Sequence, residues 1–157
     1  MYIFHPTHQQ FVFALIDEHV DFLLVGGYAV VYHGYVRATG DMDVWLRPTN
    51  ENKIKFVKAM ERIDIHPEDL EHISAMDFTN VVVFHFGNPP ERLDFLTKMV
   101  GIDFDKAYER KVFLSIKNYQ IPILHLDDLI VNKILSNRAK DKADVEELQK
   151  INQLRKD

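Results

Sequence analysis

A short apolar run, Phe22-Leu-Leu-Val25, ends in Gly26-Gly27, and a second strand-like run, Asp41-Met-Asp-Val-Trp-Leu46, begins thirteen residues later. The first run reads as a buried strand feeding a tight turn. Two glycines at such a turn let the backbone approach a bulky ligand with no Cβ in the way. The short helix expected over Tyr28–His33 would present free N–H groups and the positive end of its dipole, an arrangement that suits a phosphate. Alone, a Gly-Gly pair is a common structural turn.

The aspartates of the second run add chemistry. Residues i and i+2 of a strand point to the same face, so Asp41 and Asp43 stand side by side. Like charges that close repel, and each carboxyl would sooner protonate than share the site unneutralised. A hard divalent cation resolves the conflict, because Mg²⁺ prefers carboxylate oxygen and bridges to substrate phosphates. Met42, Val44 and Trp45 make the strand otherwise apolar, which argues against a purely solvent-facing pair. Arg37 and Thr39, in the loop read over Gly34–Gly40, are candidates for phosphate or base contact.

Elsewhere the pattern alternates between helical and strand-like periodicity. An amphipathic helix is expected over His8–Val20, and another from an Asn50 cap to about Ile63, followed by one more helical turn in Pro67–His72. Two β-rich runs, Thr79–Phe86 and Arg92–Leu96, flank the turn residues Gly87-Asn-Pro-Pro-Glu91. A short helix over Asp103–Arg110 leads to the strands Val112–Ile116 and Gln120–Leu124, and the tail holds helices over Leu126–Asn137 and Asp141–Arg155. This order predicts an α/β (α+β) domain with a mixed β-sheet flanked by helices. Residues 1–157 are expected to form one domain, with a core over about 8–124 and C-terminal helices over about 125–156.

Composition narrows the function classes. With 157 residues, 46% hydrophobic and 27% charged, the chain has ordinary globular content. No apolar run approaches the roughly 18–20 residues of a membrane span. Met1-Tyr-Ile-Phe-His-Pro lacks a basic segment followed by an apolar one, so no signal peptide is expected. There is no cysteine, so disulfides and thiolate metal sites are excluded, and a cytoplasmic location is expected. A net charge of −5 argues against a stable complex with duplex DNA, which calls for a basic face. The histidines are scattered without zinc-ligand spacing; His33 reads as a core or capping residue.

Gly26-Gly27 followed by Asp41-Met-Asp43 resembles the signature of the nucleotidyltransferase superfamily (DNA polymerase β-like), in particular its minimal bacterial members and the related toxin-like nucleotidyltransferases. The resemblance implies a nucleotidyltransferase fold in which the glycine pair cradles a triphosphate, Asp41 and Asp43 bind metal, and a third acidic residue arrives from an adjacent strand. Asp94, a lone carboxylate in the apolar run Glu91-Arg-Leu-Asp-Phe-Leu96, is the matching candidate. A strand aspartate so placed needs a cation or donors. Satisfaction by Arg92 or a backbone group, or exposure to solvent, remain the alternatives. Leu126–Lys133 and Asn137–Asp144 resemble the C-terminal helical signature of small uncharacterised relatives. By that resemblance Lys133, Arg138 and Lys140 bring positive charge to the triphosphate and Asp141 and Asp144 orient them, with ordinary intrahelical pairing as the alternative. The second glycine position is often serine in the family, whereas Gly27 offers only its backbone.

The implied activity is transfer of a nucleoside monophosphate from an NTP, with Mg²⁺ or Mn²⁺, to an unidentified acceptor: RNA, protein or a small molecule. The competing reading is a catalytically weak nucleotide-binding module, or one component of a toxin–antitoxin pair, built on the same fold.

Overall fold

Prolines and short polar caps decide where the helices begin. A computed structural model of the chain describes residues 4–156. The first residues of the segment read for a targeting signal therefore lie outside the described residues. Pro6 opens helix α1 (Pro6–Asp17), whose first turn is capped by the His5 ring accepting from the Thr7 N–H at 3.2 Å. The helix thus starts two residues before the expected His8 and ends at Asp17 rather than Val20. Strand β1 (Phe22–Val25) runs into α2 (Gly26–Tyr32), and β2 (Met42–Leu46) into α3 (Asn50–Arg62). Thr49, not Asn50, caps α3, its hydroxyl accepting from the Asn52 N–H at 3.2 Å. The Asn50 side chain is instead spent across the chain on the Phe78 N–H and on Asp77.

Pro67 opens α4 (Pro67–Ser74), a full eight-residue helix rather than a single turn. Strand β3 (Val83–Phe86) begins later than its β-rich run, because Asp77 folds Thr79 and Asn80 into a turn. Then follow β4 (Leu93–Leu96), α5 (Phe104–Glu109), β5 (Val112–Ile116), β6 (Tyr119–Ile123), α6 (Leu126–Ser136) and α7 (Ala139–Lys156).

The six strands form one mixed sheet in the order β3-β4-β2-β1-β6-β5. β2 is parallel to β4 and antiparallel to β1, while β3–β4 and β5–β6 are antiparallel pairs. Period-two alternation then divides the side chains of β2, β3 and β4 between two faces. Val44, Phe95 and Phe84 stand in register on one face. There the Phe56 ring of α3 lies 5.0 Å from Phe95 and 5.6 Å from Phe84, and Phe11 of α1 reaches Phe86. This aromatic layer is the core beneath the left half of the sheet.

The other face carries Asp43, Trp45, Asp94 and Leu96. Trp45 is fully buried there, its indole N–H donating to the Thr97 carbonyl at 3.1 Å and its ring meeting Phe104 edge-on at 5.1 Å. α2 packs on β1 and β2, and α6 packs on α2 and α7. On β3, Val83 and His85 of this same face stay exposed. Among the described residues no helix is long and apolar enough to cross a membrane.

Candidate functional site

The β1–α2 turn closes directly onto the acidic strand. Gly26 has φ +61°, and a Cβ there would lie 2.2 Å from Oδ2 of Asp43. Only glycine permits both the left-handed backbone and that approach. Gly27 is constrained in a different way: a Cβ would fall 2.2 Å from Oγ1 of Thr39, with Nη1 of Arg37 3.6 Å away. The loop before Asp41 has folded back over the turn. The place a residue-27 side chain would fill is therefore occupied by a hydroxyl, contributed by Thr39.

Register brings the carboxylates together. Asp43 pairs with Asp94 across the parallel β2–β4 ladder, and partners in a parallel pair point to the same face. Asp41 precedes Asp43 by two residues, and all three line one cavity of about 910 Å³ with Gly26, Gly27, Arg37, Thr39, Lys133, Arg138 and Lys140. Thus the candidate metal-binding and nucleotide-binding residues line a single cavity, while Asp141 lies behind it.

Electrostatics there is uneven. Burial pushes the Asp43 carboxyl up to about 6, aided by the negative charges of Asp94 and Asp41 and opposed by Lys140 and Lys133. Asp94 is held by Arg92, whose Nε donates to both carboxylate oxygens at 3.0 and 3.2 Å while Nη2 lies 3.0 Å from Oδ1. That contact, with the nearby Asp41 and Asp43, holds the Arg92 guanidinium above its usual range. Of the alternatives for Asp94, satisfaction by Arg92 is the one observed, with the carboxylate still lining the cavity.

The cations of the opposite wall are tied to one another through buried carboxylates. The Lys133 ammonium sits 3.1 Å from Asp141 and 3.0 Å from Asp144, and all three side chains are buried. Arg37 clamps Asp144 with Nε and Nη2 at 2.9 and 3.0 Å, and Arg138 donates to both oxygens of Asp141. Burial works to raise the Asp141 carboxyl, but the hydrogen bonds from Arg138 and Lys133 prevail and hold it below the ordinary range. The pairing is between elements rather than intrahelical: Lys133 of α6 and Arg138, which precedes α7, hold Asp141, and Asp144 joins α7 to the Arg37 loop as well as to α6. Lys133 lines the cavity with its charge already committed, whereas Lys140 is exposed at the rim.

Several cavity residues carried no distinctive sequence signal. Val83, Leu96, Lys98, Met99 and Val100 also line the cavity, and His85 lies opposite Asp94 in the β3–β4 pair. A strand alternating Val83 and His85 outward with Phe84 and Phe86 inward was the only available hint. His33 is a core residue, buried, its Nε2 2.8 Å from the Leu124 carbonyl oxygen.

The donor set suits a hard cation. Among the described residues no three His, Asp or Glu side chains already enclose a common point. Mg²⁺ typically takes one or two carboxylates and completes its shell with water and substrate phosphate. A pair of crowded aspartates, one of them protonating near pH 6, fits a cation that arrives with a nucleotide.

Comparison with known proteins agrees with this fold. The chain resembles the crystal structure of the lincosamide antibiotic adenylyltransferase LnuA, determined with lincomycin bound, with a TM-score of 0.56, 12% identity, and coverage of 96% of this chain and 99% of that one. A provisionally assigned nucleotidyltransferase from Thermotoga maritima aligns at TM-score 0.49 and 13% identity, over 95% of this chain and 88% of that one. At 12% identity the likeness to LnuA is one of fold. No curated protein matches the sequence. The family described as "nucleotidyltransferase of unknown function (DUF6036)" matches residues 9–157. With nearly its whole length matched and its sheet carrying that fold, the chain belongs to this nucleotidyltransferase family.

Proposed function

We propose that the chain transfers a nucleoside monophosphate from a metal-bound NTP to an acceptor hydroxyl, within one domain spanning residues 1–157. The observation that carries this reading is the in-register pairing of Asp43 with Asp94, beneath a glycine turn that only a missing Cβ allows to close.

Asp41 and Asp43 would hold Mg²⁺ or Mn²⁺, with Asp94 on the acceptor side. The cation, when bound, neutralises the triphosphate and steadies the departing pyrophosphate. Gly26 and Gly27 give the triphosphate room to approach the backbone, the Thr39 hydroxyl beside Gly27 would donate to its oxygens, and Arg37, which holds Asp144, adds positive charge. Lys140 and Arg138 add positive charge at the rim, and Lys133 contributes from its buried position. Asp94 receives the acceptor's hydroxyl proton. The acceptor oxygen forms a bond to the α-phosphorus while the bond from that phosphorus to the bridging oxygen breaks, and pyrophosphate leaves with the electron pair. Most of the chain's contribution is positioning and charge neutralisation, as in other phosphoryl transfers.

The test is incubation of the protein with α-labelled NTPs, Mg²⁺ and cell extract, beside calorimetry with a non-hydrolysable NTP. Label entering an extract component in wild type but not in Asp43→Ala supports transfer. Nucleotide binding without labelling supports the binding-module reading, and neither binding nor labelling removes both.

A further inference from the structure

The cavity lining has two chemically different parts. One is the glycine turn with the cations of the Arg37 loop, α6 and α7. The other, on β3, β4 and the segment after β4, is apolar: Val83, Leu96, Met99 and Val100, with Asn132 of α6 donating to the Val100 carbonyl at 3.2 Å. Val83 is 70% exposed and Val100 56% exposed, unusually open for valines that flank a charged site. Val83 and Leu96 are register partners one step along the sheet from the His85–Asp94 pair, so the apolar and polar rows share the uncovered face. Lys98, next to Met99 in the chain, also lines the cavity.

We propose, resting on the transfer reading above, that the acceptor is a small amphipathic alcohol rather than a nucleic acid. Its apolar body lies on Val83, Leu96, Met99 and Val100, and its hydroxyl is directed at Asp94. A polynucleotide acceptor needs several phosphates neutralised beside the reacting hydroxyl. Here Arg37, Lys133 and Arg138 are already paired with Asp141 and Asp144, Arg92 with Asp94, and the chain carries a net charge of −5. A volume of about 910 Å³ leaves room for a second small molecule next to a nucleotide, since one drug-sized ligand fills roughly 300–1,000 Å³. An apolar body displaces water from the exposed valines, while Asp94, its carboxylate already oriented by Arg92, accepts from the hydroxyl.

The experiment uses the full chain and a homologous series of primary alcohols, 1-propanol to 1-heptanol, with glycerol and a short oligoribonucleotide as polar controls. Binding is read by methyl NMR shifts, and ATP–Mn²⁺ binding is measured separately by calorimetry. Affinity should rise about twofold or more per methylene, half or more of what full burial delivers. The shifts should centre on Met99, Leu96 and Val83. The double variant Val83→Ser/Val100→Ser alters two exposed positions where folding is little affected, and it should weaken heptanol binding at least about tenfold. Supplied with ATP and Mn²⁺, the wild type should convert heptanol to its adenylate ester. Affinity independent of chain length, shifts mapping elsewhere, an unaffected double variant, or an oligoribonucleotide perturbing the same methyl groups more strongly would each overturn the proposal. Heptanol bound at this wall by a protein that binds no ATP–Mn²⁺ would keep the apolar site and remove the transfer reading. ATP–Mn²⁺ binding without alcohol binding would do the reverse.

Discussion

The acidic and basic walls of the cavity are built on opposite principles. On the sheet, Asp41 and Asp43 crowd together with Asp94, and only Asp94 has a cationic partner at hydrogen-bond distance, Arg92. At α6, α7 and the residue before α7, Lys133, Arg138 and the loop residue Arg37 together hold two buried carboxylates, Asp141 and Asp144, in one network. The acidic wall is left with crowded like charges, which a bound cation would relieve. The basic wall is complete in the free chain and serves as rigid support. Removing a charge should therefore relieve the first and damage the second.

The largest contrast is in activity. Asp43→Ala should lower nucleotidyl transfer by more than about a hundredfold, since even residues that merely support metal ligands matter by about 10–100-fold. The labelling assay measures this, and circular dichroism should show an intact fold. Retained transfer would break the assignment of the acidic wall.

Next comes the support. Lys133→Met removes the buried cation shared by Asp141 and Asp144, and breaking a buried pair outright costs about 3–5 kcal/mol. Arg37 and Arg138 still hold Asp144 and Asp141, so about 3 kcal/mol is expected from urea denaturation. A variant as stable as wild type, but needing more NTP, would instead make Lys133 a direct phosphate ligand.

The third prediction concerns pH. The Asp43 carboxyl titrates near 6 in the fold, above its ordinary 3.8, so the fold favours the protonated form. Its contribution to stability is full below about pH 3.8 and is lost as pH rises through about 6. Without metal, Asp43→Asn should be more stable than wild type at pH 7.5 by on the order of 2 kcal/mol, with a smaller gap at pH 5. Mg²⁺ or Mn²⁺ should raise the wild-type Tm more at pH 7.5 than at pH 5, by mass action on the native state. Parallel melting curves at the two pH values would refute this account of the acidic wall.

The smallest effect belongs to Arg92. Its pair with Asp94 is partly exposed, and such pairs contribute about 0–1 kcal/mol. Arg92→Ala should barely change urea stability while tightening Mn²⁺ binding a few-fold in calorimetry, because Asp94 is then uncompensated. Weaker Mn²⁺ binding would mean that Arg92 orients Asp94 for the metal rather than competing with it.

Much of this was legible in one dimension because it depends on short-range geometry. The turn at Gly26-Gly27, the shared face of Asp41 and Asp43, and the alternation of helices with strands follow from local backbone periodicity and the missing Cβ. Helix starts were less legible: Thr49 rather than Asn50 caps α3 because Asn50 is drawn to Phe78 and Asp77, a contact spanning 28 residues. Asp94 could be named from its apolar setting, but its alignment with Asp43 is set by the parallel register of β2 and β4. Local sequence carries no information on that register. The dual pairing of Asp144 with Lys133 and Arg37, 107 residues away, and the apolar part of the cavity lining are also long-range outcomes. By itself, then, the sequence determined which groups were available and which local faces they share. Tertiary packing alone decided which charges were neutralised and which were left for a ligand, because that depends on distances between strands and helices far apart in the chain.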